Sequence, residues 1–292
     1  MMAVSLLIAA LLAAQPATTA EEKTDIIVTG ERTREQRSKS FVDAIARASA
    51  KRQIARFEDP LCPTSIGLTE ADAATVERRL RRVAEAAGAR TAKRGCRTNL
   101  VILIVDDREK AIAHWQKNRP DFFEGLTKAE IDALQNGIEP VAAWQIVALK
   151  GADRRPVGRT QEGVIDYTVH NQVVPTRIGT TIQFEFYGAF LLVEASALKD
   201  MTLMQLADYA AMRTLARTDA ASASGQSAPT ILSLFDAGGP AAAPPSVTHW
   251  DLGFLTALYR IDPAFDERAQ RKAIAHIVSQ QVAKASEETT DD

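Results

Sequence analysis

An excess of charge of one sign is missing from this sequence, as are base-stacking aromatic stripes, metal-ligand spacings and membrane-length apolar runs. Thirty-five Lys and Arg against 37 Asp and Glu leave a formal charge of -2, so no basic field draws nucleic acid. Aromatic residues make up 6% of the chain and nowhere interleave with basic ones in the pattern that stacks bases. The four histidines, His114, His170, His249 and His276, stand far apart and form no HxH, HxxxH or HExxH pair, which leaves no metal or other cofactor to assign. No serine occupies a GxSxG elbow, no glycine loop ends in GK[ST], and no GxGxxG follows a strand. No catalytic residue is assigned on these grounds. Cysteine is scarce as well: only Cys62 and Cys96, outside any CxxC redox spacing.

What is present begins with an apolar block from Val4 to Ala14, the length of a secretory signal core and too short to span a bilayer. Pro16 and the small residues Thr18-Thr19-Ala20 predict cleavage after Ala20, and hence a periplasmic or secreted protein. No Lys or Arg precedes the core, which keeps an uncleaved anchor as the alternative. No later run approaches membrane length, so no integral membrane segment is expected in the mature chain. In an oxidising compartment the two cysteines are expected to pair, closing a loop worth roughly 4 kcal/mol through the unfolded state.

The order of elements suggests a signal at 1–20, an N-terminal extended segment and basic helix at 21–57, a single α+β domain at 58–286 and an acidic tail at 287–292. A basic stretch from Arg32 to Arg56 carries Phe41, Ile45, Ala48 and Ile54-Ala55 in a narrow apolar stripe. Thr69 caps a second helix that Gly88 ends. Leu100 to Val105 is a continuous apolar run, a central strand that must be covered on both faces. Helical pattern follows from Asp107 to Gly137, broken at Pro120 and restarted at Thr127. Pro140 to Leu149 reads as strand, Val164 to Val174 as extended, and Thr181–Tyr187 and Ala189–Ala195 as two strands separated by Gly188. Helices are expected from Leu203 to Arg217, Asp251 to Ile261 and Asp266 to Ala285. The fold expected is therefore α+β, a mostly antiparallel sheet from about 100 to 195 flanked by helices and locked by one disulfide.

Three polar groupings draw attention. Asp106-Asp107 ends the central strand, where a helix cap is the simpler reading than acid-base work. Arg154, Arg155 and Arg159 stand in a polar loop. In the helix from Leu203, Thr202 and Gln205 fit a capping box, and Gln205 and Asp208 share one side of an otherwise apolar helix, placed to bond each other or a common partner.

This helix, with Pro229-Thr230-Ile231-Leu232-Ser233-Leu234-Phe235, Thr248-His249-Trp250-Asp251 and Phe254-Leu255-Thr256-Ala257-Leu258-Tyr259, resembles a group of uncharacterised exported alphaproteobacterial proteins. The layout is similar to zinc-peptidase-like (zincin-like) domains of that class, many of them degenerate, and covers roughly Cys62 to Tyr259 by motif order. A zincin needs two histidines one turn apart around a glutamate. The resemblance places Met204 and Asp208 at the histidine positions and Gln205 at the glutamate, which implies a peptidase-like scaffold without its chemistry. Asp25-Ile26-Ile27-Val28-Thr29-Gly30-Glu31-Arg32 resembles the segment by which TonB-dependent receptors add a strand to their energising protein, which implies an envelope protein partner bound through Asp25 to Gly30. Together these readings describe an exported, non-catalytic envelope protein, with a periplasmic hydrolase of non-standard site as the alternative.

Overall fold

A computed structural model describes residues 34–48, 53–151 and 182–288. Among them lie eight α-helices and a four-stranded sheet: α1 (Arg34–Ile45), β1 (Pro63–Ile66), α2 (Glu70–Ala86), β2 (Leu100–Val105), α3 (Arg108–Asn118), α4 (Lys128–Asn136), β3 (Val141–Gly151), β4 (Ile182–Glu194), α5 (Leu203–Thr214), α6 (Gly239–Ala242), α7 (His249–Arg260) and α8 (Glu267–Glu288). The Asp25 to Gly30 run, the Arg154, Arg155 and Arg159 loop, the Val164 to Val174 segment and His170 lie outside the described residues.

The α+β class holds, but the expected antiparallel character does not. Strand order is β1-β2-β4-β3, with β1 parallel to β2, β2 parallel to β4, and only β3 antiparallel to β4. The reason is the connections. A helix between β1 and β2, and two helices with β3 between β2 and β4, return the chain to the end from which it left, and that geometry gives parallel neighbours. The sequence reading lacked β1, whose four residues Pro63-Thr64-Ser65-Ile66 are too short and polar to stand out. It also split β4 at Gly188. Ile182–Glu194 is instead one strand, with a bulge at Tyr187, and Gly188 faces Ile146 of β3 and lies beside the Asn99 carbonyl.

The Leu100–Val105 run is internal to the sheet, as its continuous apolarity requires. One face packs on α1, α2, α5, α7 and α8, with Leu100, Ile102, Leu191 and Val193 at its centre. The other packs on α3 and α4, where Trp144 stacks between Phe123 and Phe190 at centroid distances of 5.4 and 5.0 Å.

Among its described residues the basic stretch is helical from Arg34 to Ile45. Phe41, Val42 and Ile45 are fully buried, with Phe41 edge-on to Trp250 and Phe254. From Gln53 the chain runs extended beside β4, where the Phe186 amide donates to the Arg56 carbonyl at 2.8 Å. No helix among the described residues is long and apolar enough to cross a membrane.

Cys62 and Cys96 form the expected disulfide, with Cα atoms 6.0 Å apart. It ties the start of β1 to the turn entering β2, where the Cys62 amide also donates to Asn99 Oδ1 at 2.7 Å. The unfolded, unreduced protein should show no titratable thiol, and reduction should lower unfolding free energy by roughly 4 kcal/mol in urea titrations with and without reductant.

Candidate functional site

Helix α5 starts as its sequence suggests: the Gln205 amide donates to Thr202 Oγ1, and the Thr202 amide donates to Gln205 Oε1. Gln205 and Asp208 do meet one common partner, the proline-rich segment from Pro240 in α6 to Val247 before α7. Gln205 Nε2 donates to the Pro240 carbonyl at 2.9 Å and the Pro244 carbonyl at 3.3 Å. Asp208 is fully buried and takes two parallel bonds from Arg79 of α2, at 2.6 and 2.8 Å. It also accepts from Ser246 Oγ and the Val247 amide, both at 2.8 Å. Met204, by contrast, is 48% exposed. The three positions that the peptidase resemblance singles out therefore do not converge on a cavity. Two of them fasten a loop, and the third faces solvent.

The other sequence candidates are equally ordinary in place. Asp107 caps α3, accepting from the Lys110 amide at 2.9 Å. Its carboxyl sits below the usual range, chiefly through the Lys110 side chain. His114 and His276 each contact a side chain one turn on, Asn118 and Gln280, and no cluster of metal-binding side chains occurs among the described residues. The open groove between α1 and α8 is lined by charged side chains, of which Lys39 pairs with Asp43 and Arg271 with Glu267.

A different arrangement appears along the outer side of β3. Two cavities of about 220 and 200 Å³ share Ala143, Gln145 and Arg217, and so meet over the edge strand. The wall on the α5 side is built by short backbone pairing: the Arg47 amide donates to the Arg217 carbonyl and the Asp219 amide to the Ile45 carbonyl, each at 2.9 Å. Gln145 Nε2 donates to the Arg213 carbonyl at 2.6 Å and pins the end of α5 to the strand. The opposite wall is α4, with Glu130, Ala133 and Leu134.

Three arginines from separate elements reach this cleft. Arg47 pairs with Asp219 and also donates to Ser222 Oγ. Arg217 pairs with Glu130 at 2.9 Å. Arg213 donates Nη1 to the Tyr209 hydroxyl at 2.9 Å, its Nε is buried with no partner, and among the described residues no carboxylate pairs with it. Glu139 lines the same cavity. Burial raises the Glu130 carboxyl, yet hydrogen bonds from the Thr127 amide, Arg217 and the Thr127 hydroxyl outweigh it and hold the group below the usual range. Asp219 is lowered in the same way, burial being outweighed by the Ser222 amide and hydroxyl and by Arg47.

The sequence reading missed every residue of this cleft. The available signal was local and small: Arg213 and Arg217, four apart at the end of an otherwise apolar helix, where a cation also serves as an ordinary helix-end charge.

Asp208→Asn should cost about 3 kcal/mol, since it leaves the Arg79 guanidinium half of a buried pair uncompensated, whereas Met204→Ala should stay within about 0.5 kcal/mol. Urea unfolding of the two variants checks both. The lowered carboxyls of Glu130 and Asp219 contribute stability that is present above the ordinary carboxylate range and is lost as pH falls through their depressed values. Glu130→Gln, which keeps a side-chain acceptor for the Thr127 amide, should therefore flatten the stability profile below about pH 4, read as urea midpoint against pH.

Comparison of the chain with models of protein families, with curated proteins and with solved structures returns no significant match.

Proposed function

We propose that this is an exported, non-catalytic binding protein of the cell envelope whose working surface is the cleft on the free side of β3. The single observation that carries the reading is Arg213, a guanidinium without a carboxylate partner among the described residues, set beside the ion pairs Arg47–Asp219 and Arg217–Glu130. A half-buried cation held by Tyr209 and the end of α5 is a ready contact for an anionic group on a partner. The disulfide supports the envelope address, because such bonds persist in oxidising compartments. On the peptidase-like reading of α5, the positions of the lost site have been turned to structure, Asp208 and Gln205 holding the loop from Pro240 to Val247 in place. Strand addition to an envelope partner through Asp25 to Gly30 stays a separate proposal, tested by its deletion.

A photo-crosslinking residue placed at Ala133, on the exposed wall of the cleft, should capture an envelope component in the producing cell. The same residue at Met204 serves as a remote control. Capture from Ala133 should be lost with Arg213→Glu. Identical products from both positions, or products indifferent to Arg213→Glu, would refute the cleft as the working surface. Stoichiometric zinc in the purified protein would instead revive the hydrolase.

A further inference from the structure

Resting on that reading, we infer that the cleft receives an extended peptide segment of a partner protein, with acidic and apolar side chains in alternation, as an added strand on β3. The argument starts from register. β3 ends the sheet, and no described residue pairs with it on its outer side. The Glu194 amide donates to the Pro140 carbonyl, so Pro140, Ala142 and Trp144 turn their backbone groups toward β4. By alternation Ala143 and Gln145 turn theirs outward. These are the two β3 residues that both cavities share. The floor of the cleft thus has outward backbone donors and acceptors that pair with no strand among the described residues, which is what a strand-adding peptide uses for affinity.

Side-chain preference follows from the walls. Successive side chains of an added strand point to opposite faces of the sheet. On the α5 face they meet Arg47 and Arg217, each already paired with a carboxylate of the cleft, and Arg213, which no carboxylate pairs among the described residues. On the α4 face they meet Leu126, Leu134 and Trp144, with Glu124 and Glu130 beside them. One face asks for a carboxylate and the next for an apolar group.

The Arg217–Glu130 pair stands across this path. Glu130 belongs to α4, on the aromatic face of the sheet, and Arg217 follows α5, on the other face, so the ion pair passes around the free edge of β3. It acts as a latch. A peptide carboxylate reaching the α5 face competes with Glu130 for Arg217 while pairing with Arg213.

The test uses the purified protein with its disulfide intact and a set of synthetic peptides alternating Asp or Glu with Leu or Val. Matched controls carry Lys in place of the acids, or N-methyl groups on alternate backbone nitrogens, and inorganic phosphate serves as a bare anion. Acidic peptides should bind, slow amide exchange at Ala143 and Gln145, and weaken at least tenfold on N-methylation and on Arg213→Glu. Glu130→Gln should tighten binding by about threefold, the worth of an exposed ion pair. Binding that resists N-methylation but falls with Arg213→Glu overturns strand addition and leaves the cleft as a site for acidic groups. Binding indifferent to Arg213→Glu overturns both. No acidic peptide bound above its lysine control overturns the added strand, as does phosphate binding as tightly as the peptides. So does dimerisation of Glu130→Gln without peptide capture, which would give the edge to a second copy of the chain.

Discussion

A thirteen-residue strand running through the middle of the molecule sets the main constraint, because each buried N–H and C=O along β4 needs a partner. β3 supplies one side for the full length. β2 supplies the other only from Ala189 onward. The remaining stretch is met by the chain after α1: Arg56 offers its carbonyl to the Phe186 amide, and Gln53 its Oε1 to the Phe184 amide at 3.1 Å. That segment is itself held by Gln270 of α8, which accepts from the Ile54 amide. The disulfide then fixes the entrance of β2, so that the point where β4 exchanges one neighbour for the other is defined from both sides.

A second regularity is the use of arginine on backbone carbonyls at helix ends. Arg56 donates to Leu258 and Ile261 at the end of α7, Arg271 to Val42 and Ala46 at the end of α1, and Arg108 to Gly137 and Glu139 after α4. Each of these cations sits at or just beyond a helix C-terminus, where it complements the negative end of the helix dipole. Arg213 stands near the end of α5 yet gives its hydrogen bond to the Tyr209 hydroxyl, while its Nε, like that of Arg108, is buried without a partner. Its difference from the other arginines is what gives the cleft its chemical character.

Features written in contiguous residues were legible in the sequence, and those assembled across the chain were not. The apolar run Leu100–Val105, the capping boxes at Thr127 and Thr202 and the cysteine pair all depend on neighbours a few residues apart or on a count of two. Strand direction depends on where a crossover returns, which periodicity does not encode. Gly188 looked like a break because glycine weakens strands, but here the neighbours on both sides hold the backbone extended. Gln205 and Asp208 were legible as a pair with one partner, while the partner, 35 to 39 residues on, was not. The cleft draws Glu130, Gln145 and Arg213 from three elements, Arg47 from the segment after α1 and Arg217 from the turn after α5, with no fixed spacing for a pattern to find.

The two ends of the sheet are treated differently, and the difference bears on the cleft. β1 is only four residues long, and a short edge is a poor template for pairing. β3 has eleven residues and needs a guard. That guard is an ion pair with both side chains about 40% exposed, a contact worth less than about 1 kcal/mol in water and weaker in salt. A helix or an apolar loop laid over the edge would seal it for good. A weak ionic latch raises the threshold for casual pairing yet yields to a segment that supplies its own carboxylate and a row of backbone bonds. Weakness at this one contact is therefore consistent with an edge meant to be occupied.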